Sequence, residues 1–168
     1  TRKESSAASD VYKRQFATSA ARDWTVKVAA DGLNADTPYY YRFRAGDAVS
    51  VVGQTKTLAV GSDPVRLAVF SCSNFPAADT FAAYGRATSI NAANPYDAWL
   101  HLGDYIYEYG PGGYGEAEDA AGSRPFQPNR EIVSLDDYRQ RYAQYHTDAN
   151  LQSLRAAAPL IAIWDDHE

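Results

Sequence analysis

Hydrophobic and polar positions alternate with a period of two between residues 24 and 57. Trp24, Val26 and Val28 are separated by Thr25 and Lys27, and Tyr39, Tyr41 and Phe43 by Tyr40 and Arg42. This period predicts half-buried antiparallel strands, with the apolar side chains inward and Arg42 and Arg44 toward water. Asp31-Gly32, Gly46-Asp47 and Gly53 supply the expected turns. Asp63-Pro64 breaks the pattern, and the class of element then changes. Three short apolar runs, Val65 to Phe70, Ala98 to Leu102 and Leu160 to Trp164, read as buried strands. Between them lie helical spacings. Phe81, Tyr84 and Ile90 recur along residues 80–90, and a further helix is expected over 151–157, ending before Pro159. Ser134 with Asp137 three residues on is a relative of the capping box. Behind it, Leu135, Tyr138, Tyr142 and Tyr145 read as one buried stripe, with Arg139 and Arg141 off it. Strand, helix, strand, long loop, helices, strand is the order of a layered α/β domain.

The expected organisation is three parts: a tail over 1–15, a β unit over 16–62 and an α/β unit over 63–168. Residues 5–15, SSAASDVYKRQ, resemble the in-frame translation of an adapter used in preparing sequencing libraries, so the tail is read as disordered and non-native and excluded from fold reasoning. Residues 32–39 resemble the corner leading into a late strand of an immunoglobulin or fibronectin type III sandwich, where a tyrosine hydroxyl ties back to nearby backbone. Three or four strands are too few for a whole sandwich. The expectation is a partial one, acting as a packing module without chemistry of its own.

Composition narrows the class further. The chain has 16 basic and 21 acidic side chains, a formal net charge of −5, with 13 tyrosines and no methionine. An acidic balance argues against a grip on nucleic acid built on phosphate neutralisation. No apolar run approaches the roughly 20 residues of a membrane-spanning helix. The single cysteine, Cys72, cannot form an internal disulfide, and no Cys/His spacing suits structural zinc.

The chemistry sits directly after the apolar runs. The first ends in Ser71-Cys72-Ser73-Asn74, the second in Gly103-Asp104-Tyr105-Ile106-Tyr107-Glu108, the third in Asp165-Asp166-His167-Glu168. In an open α/β sheet ligands collect beyond the carboxyl ends of the strands, so parallel strands would bring these termini to one edge. A thiol, several carboxylates, a phenol and an imidazole would then share one place, and close carboxylates repel unless a cation lies between them. That points to a metal pair. Hard oxygen donors suit iron, calcium, magnesium or manganese, and a thiolate adds preference for a softer or more acidic ion. His101, inside the second run, is read as a packed core residue, and His146 as a residue complementing a helix end. Residues 110–115 are rich in glycine but lack the Lys-Ser or Lys-Thr of a phosphate loop, so they are read as a mobile loop at the site edge.

These residues resemble the PhoD-like alkaline phosphatases, metal-dependent phosphoesterases of the calcineurin-like group. The resemblance is carried by FSCSNFP (residues 70–76), DAWLHLGDYIYEYG (97–110) and the stretch 131–168 ending in WDDHE. It implies the N-terminal part of a metallophosphoesterase α/β sandwich preceded by the family's β domain. It also implies ferric iron (Fe3+) with calcium (Ca2+), and hydrolysis of phosphate monoesters and diesters by a metal-activated hydroxide. By position, Cys72 corresponds to the thiolate ligand of iron, Asp104 to the carboxylate bridging the metals, Tyr107 to the phenolate ligand and Asp166 to a calcium ligand. His167 corresponds to the catalytic histidine near the leaving-group oxygen. The family acts outside the cytoplasm, secreted, periplasmic or attached to the cell wall. Because the third motif is reached only at Glu168, ligands beyond it are expected, and the 168-residue chain by itself is expected to be inert.

Two other readings remain open at this point. A purple acid phosphatase also pairs a fibronectin-like unit with Gly-Asp-x-x-Tyr, but ordinarily carries Asp-x-Gly and Gly-Asn-His-Glu where this chain has Ser-Cys-Ser and Asp-Asp-His-Glu. A non-catalytic binding module would use the same acidic cluster only to hold structural calcium.

Overall fold

A computed structural model describes residues 13–61, 64–113 and 124–168. Most of the tail expected over 1–15, Asp63 of the expected boundary, and Tyr114 and Gly115 of the glycine-rich loop lie outside the described residues. The chain divides after Asp31 into two compact units.

In the first unit the strand expected from Trp24 does not form. Asp23 and Trp24 have φ of 50° and 55°, left-handed values that cannot open an extended strand. They sit in a tight turn after a short 3-10 helix, Ala20–Arg22, where the Thr25 amide and hydroxyl donate to the Arg22 carbonyl at 3.0 and 2.7 Å. Among the described residues no strand pairs with 25–28, so the alternation has no ladder to join. Trp24, Val26 and Val28 are accordingly exposed.

The second unit begins with two short antiparallel ladders: β1 (Pro38–Tyr41) with β4 (Gly53–Lys56), and β2 (Arg44–Ala45) with β3 (Ala48–Val49). The Tyr39 hydroxyl accepts from the Asn34 amide at 2.8 Å, the tie-back expected there. Gly46, at φ 59°, makes the two-residue turn between β2 and β3. Gly53 is not a turn. It faces Tyr41 across the ladder, and the tyrosine ring fills the space a side chain would need. Of the expected inward rings only Tyr39 is half-buried; Tyr41 and Phe43 stay exposed and meet edge to face, 5.8 Å between centroids. A two-stranded ladder by itself buries little of either face.

The three apolar runs form β5 (Leu67–Phe70), β6 (Ala98–His101) and β7 (Leu160–Ala162), a parallel sheet in that order. Phe70 pairs with His101, and His101 with Ala162, so the carboxyl ends lie level. Among the described residues three α-helices accompany the sheet: α1 (Ala82–Ala93), α2 (Leu135–Tyr145) and α3 (Ala149–Ala157). α1 turns Tyr84 and Ala87 into a core with Trp99 of β6 and Leu151 and Leu154 of α3. Each large side chain buried there contributes about 1.5–3 kcal/mol of transfer free energy. Trp99 is wholly buried, its indole N–H satisfied by the Ala158 carbonyl at 3.2 Å.

α2 starts on a complete capping box. Ser134 Oγ accepts from the Asp137 amide at 3.2 Å, and Asp137 Oδ2 accepts from the Ser134 amide at 3.2 Å. The buried face differs from the tyrosine stripe read above. Leu135 is 67% exposed, whereas Arg141 is fully buried beside Tyr145. Helical geometry accounts for this, since four residues rotate a side chain only about 40° from Tyr145 while ten rotate it about 80°. Arg141 thus belongs on the inner face, provided its guanidinium is satisfied there.

Asp148 caps α3, accepting from the amides of Asn150 and Leu151 at 2.9 and 3.0 Å. It also accepts from the Phe81 amide at 2.9 Å and pairs with Arg124 at 2.5 Å. Burial works to raise its pKa, but those amide, Arg124 and Thr80 bonds outweigh it and hold the carboxyl below the usual range. A depressed pKa contributes stability that is present above the unfolded carboxyl value of ~4 and lost as pH falls through the folded value. We expect Asp148→Asn to remove part of the acid slope of an unfolding curve below about pH 4. An unchanged slope would show that the carboxylate is not held this way.

Candidate metal centre

The level carboxyl ends of the sheet position the site. Beyond the strands, the Leu102 amide donates to the Phe70 carbonyl at 2.9 Å, Cys72 to Gly103 at 3.2 Å and Ser73 to Asp104 at 2.8 Å. The first two loops therefore run side by side for several residues. The third is held by Ile163 donating to the His101 carbonyl at 3.0 Å. Gly103, at φ 108°, admits the Asp165 backbone where any side chain would collide with it. Cys72 and Asp104 also take left-handed φ, 59° and 54°. Such conformations cost about 1–3 kcal/mol each and persist only where surrounding bonds impose them.

All five residues singled out from sequence meet here. Cys72 Sγ and the Tyr107 hydroxyl both donate to Asp104 Oδ2, each at 3.3 Å. Asp104, Asp166 and His167 each offer a ligand atom within 4.8 Å of one another, a group that could hold a metal ion. The other Asp104 oxygen, Oδ1, is buried without a hydrogen-bond partner. A carboxylate oxygen left so is costly unless a cation meets it. Burial, then Cys72 and Asp104, push the Tyr107 phenol well above its usual pKa. The donor set of thiol, phenol and carboxylates thus fits a cation better than it fits itself, and binding one would release these protons.

His167 is oriented by Glu108. Its Nδ1 lies 2.7 Å from Glu108 Oε2, and Nε2 lies 3.9 Å from Asp166 Oδ1. An ionised carboxylate only accepts, so Nδ1 carries the hydrogen and Nε2 faces the acidic cluster. Burial works to lower the His167 pKa, but the Glu108 bond and the charges of Glu108, Asp104 and Asp166 raise it overall. Glu168 braces the same edge, accepting from the Tyr105 amide at 2.5 Å and the Asp165 amide at 2.9 Å.

A family model described as PhoD-like phosphatase matches residues 67–168, and one described as its N-terminal domain matches residues 1–59. The chain belongs to the PhoD-like phosphatase family. Alkaline phosphatase D of Bacillus subtilis (strain 168) is 43% identical over 147 residues, covering 86% of this chain and 24% of that protein. A solved structure of PhoD matches with a TM-score of 0.72 at 41% identity, covering 84% of this chain and 26% of that one. The chain therefore spans about a quarter of the length of these relatives. Membership of the PhoD-like family also decides against the purple acid phosphatase reading.

In this PhoD-like chain two histidines stand apart from the cluster. His101 is a core residue as expected, wholly buried, with Nε2 bonded to Ser73 Oγ at 3.0 Å and burial lowering its pKa. His146 is not a cationic helix cap. Burial and then Arg155 lower its pKa to about 4, and its Nε2 accepts from Arg155 at 2.6 Å, which requires the neutral ring. Glu108 and Arg141 carry roles that no single motif announced. For Glu108 the only signal was a carboxylate next to Tyr107; for Arg141 it was the four-residue spacing from Tyr145. Among the described residues no helix is long and apolar enough to cross a membrane.

Proposed function

We propose that this chain is part of a metal-dependent phosphoesterase in which Cys72, Asp104 and Tyr107 hold ferric iron and Asp166 contributes to a calcium site. The observation that carries the reading is the meeting of a thiol and a phenol on one carboxylate oxygen of Asp104, whose other oxygen is buried without a partner. Family membership supports phosphate-ester hydrolysis as the reaction. Bound there, the ions supply Lewis acidity and neutralise phosphate charge. His167, held by Glu108 through Nδ1, presents Nε2 toward the cluster, where as an imidazolium it donates to the departing alkoxide. The β unit over 16–62 serves as a packing module, and the enzyme works outside the cytoplasm.

The test is metal analysis and hydrolysis by the full-length protein, with p-nitrophenyl phosphate and bis(p-nitrophenyl) phosphate as substrates. Iron and calcium are expected to copurify, chelation to abolish turnover, and readdition of both to restore it. Full turnover after complete metal removal would overturn the reading, and calcium without hydrolysis would favour a binding module.

A further inference from the structure

The two segments that bring Cys72 and Tyr107 to Asp104 come from different strand ends. Backbone bonds join them at Cys72–Gly103 and Ser73–Asp104, and beyond these their spacing has to be set by something other than the ligands. α2 supplies a common support. Tyr145, near its end, has no exposed surface, and its hydroxyl lies 3.2 Å from two backbone nitrogens. One belongs to Phe75, three residues after Cys72; the other belongs to Tyr107 itself. Both amides donate to the single phenolic oxygen, which accepts through its two lone pairs.

The carbonyl side of each residue is held as well. Arg124 Nε donates to the Phe75 carbonyl at 2.9 Å, with its guanidinium 3.7 Å from the centre of the Phe75 ring. Arg141, one turn before Tyr145, donates to the carbonyls of Tyr107 and Tyr109. Phe75 and Tyr107 are thus each gripped at N–H and at C=O, and among the described residues Tyr145 is the group that grips both.

We propose that Tyr145 is a positioning residue: its hydroxyl joins the segment carrying Cys72 to the segment carrying Tyr107 and sets the distance between these two ligands. This rests on the reading of the cluster as a metal centre. Removing the hydroxyl leaves the ring packed against Phe75, whose centroid is 5.1 Å away, but leaves two amides with no shared acceptor. The Cys72–Gly103 and Ser73–Asp104 backbone bonds still join the segments at the strand ends, but the tie on the far side of the ligands is lost, and a site made of both loses affinity.

The test compares Tyr145→Phe with Leu154→Ala, a core truncation on α3, and Asp104→Asn in the full-length protein. Metal affinity is measured by chelator competition and the Phe75 and Tyr107 amides by residue-resolved hydrogen exchange. Tyr145→Phe is expected to weaken metal binding about 10–100-fold, the range for groups that orient ligands, and to speed exchange at both amides. Leu154→Ala is expected to lower the melting temperature while leaving metal affinity unchanged. Wild-type affinity and exchange in Tyr145→Phe would overturn the proposal, as would an equal loss of affinity in Leu154→Ala. If Asp104→Asn still holds the ions, the reading of the centre fails, and exchange alone decides whether Tyr145 joins the segments. Should Tyr145→Phe not fold, exchange in the wild type decides instead, because unprotected Phe75 and Tyr107 amides would refute the shared bond.

Discussion

Asp104→Asn in the full-length protein is expected to strip the metal ions and lower phosphate-ester hydrolysis by more than the ~10²–10³-fold typical of removing one transition-state hydrogen-bond donor. The larger loss is expected because Asp104 is shared. Its Oδ2 receives both Cys72 and Tyr107, and its carboxylate also faces Asp166 and His167. Asparagine is the informative replacement. It tolerates the left-handed φ of 54° at this position and keeps the side-chain shape while removing the charge and exchanging one acceptor oxygen for an NH2 donor. Alanine would add backbone strain and confuse loss of a ligand with loss of fold. Metal content, turnover and melting temperature measured together separate these outcomes. Normal hydrolysis in Asp104→Asn would remove Asp104 from the centre.

Arg141→Met is the second large effect, and it falls on stability. The guanidinium is fully buried over the Phe126 ring, 4.4 Å from its centre. It donates to five carbonyls, those of Tyr107, Tyr109, Gln127, Pro128 and Arg130. These come from two stretches of the long loop, so one side chain on α2 fastens both. Methionine replaces the volume but none of the donors. A neutral carbonyl left buried without a donor costs about 1–3 kcal/mol, and Arg141→Met is expected to lose at least that much, because water reaches these partly buried carbonyls only in part. Arg141→Lys recovers little, because an ammonium offers three donors from one point where the guanidinium offers five in a planar fork. Urea unfolding of the three proteins measures this. A change of about 0.5 kcal/mol or less, the size of an ordinary surface substitution, would show that the clamp contributes nothing.

The two effects differ in how far they could be anticipated. Asp104 follows an apolar run and a glycine, and the three strands it depends on were readable because their apolar runs are short and bounded by turn residues. The parallel sheet then brought all three polar ends to one edge. The N-terminus of α2 was equally legible, since the Ser134 and Asp137 bonds are local. Arg141 was misjudged because charge was taken as a sign of exposure, whereas loop carbonyls from 11 to 34 residues away satisfy it. The strand expected at Trp24 failed for the opposite reason. Alternation describes one face of a segment, but a strand also needs a partner and an extended backbone, and Asp23 and Trp24 deny it the second.

By itself, then, the order of side chains determined what depends on near neighbours: where the short strands lie, a capped helix start, and which anionic donors follow each strand. Burial was not among these, since only β6 is buried while Leu67, Val69 and Ile161 of its neighbours are exposed. Only the tertiary structure decided what depends on groups far apart in the chain. It set the pairing of Glu108 with His167, the left-handed backbone that aims Cys72 and Asp104, and the burial of Arg141 and Tyr145 behind them. Local patterns carry hydrophobic period and capping chemistry, whereas a hydrogen bond between distant segments exists only once the sheet has brought their ends together.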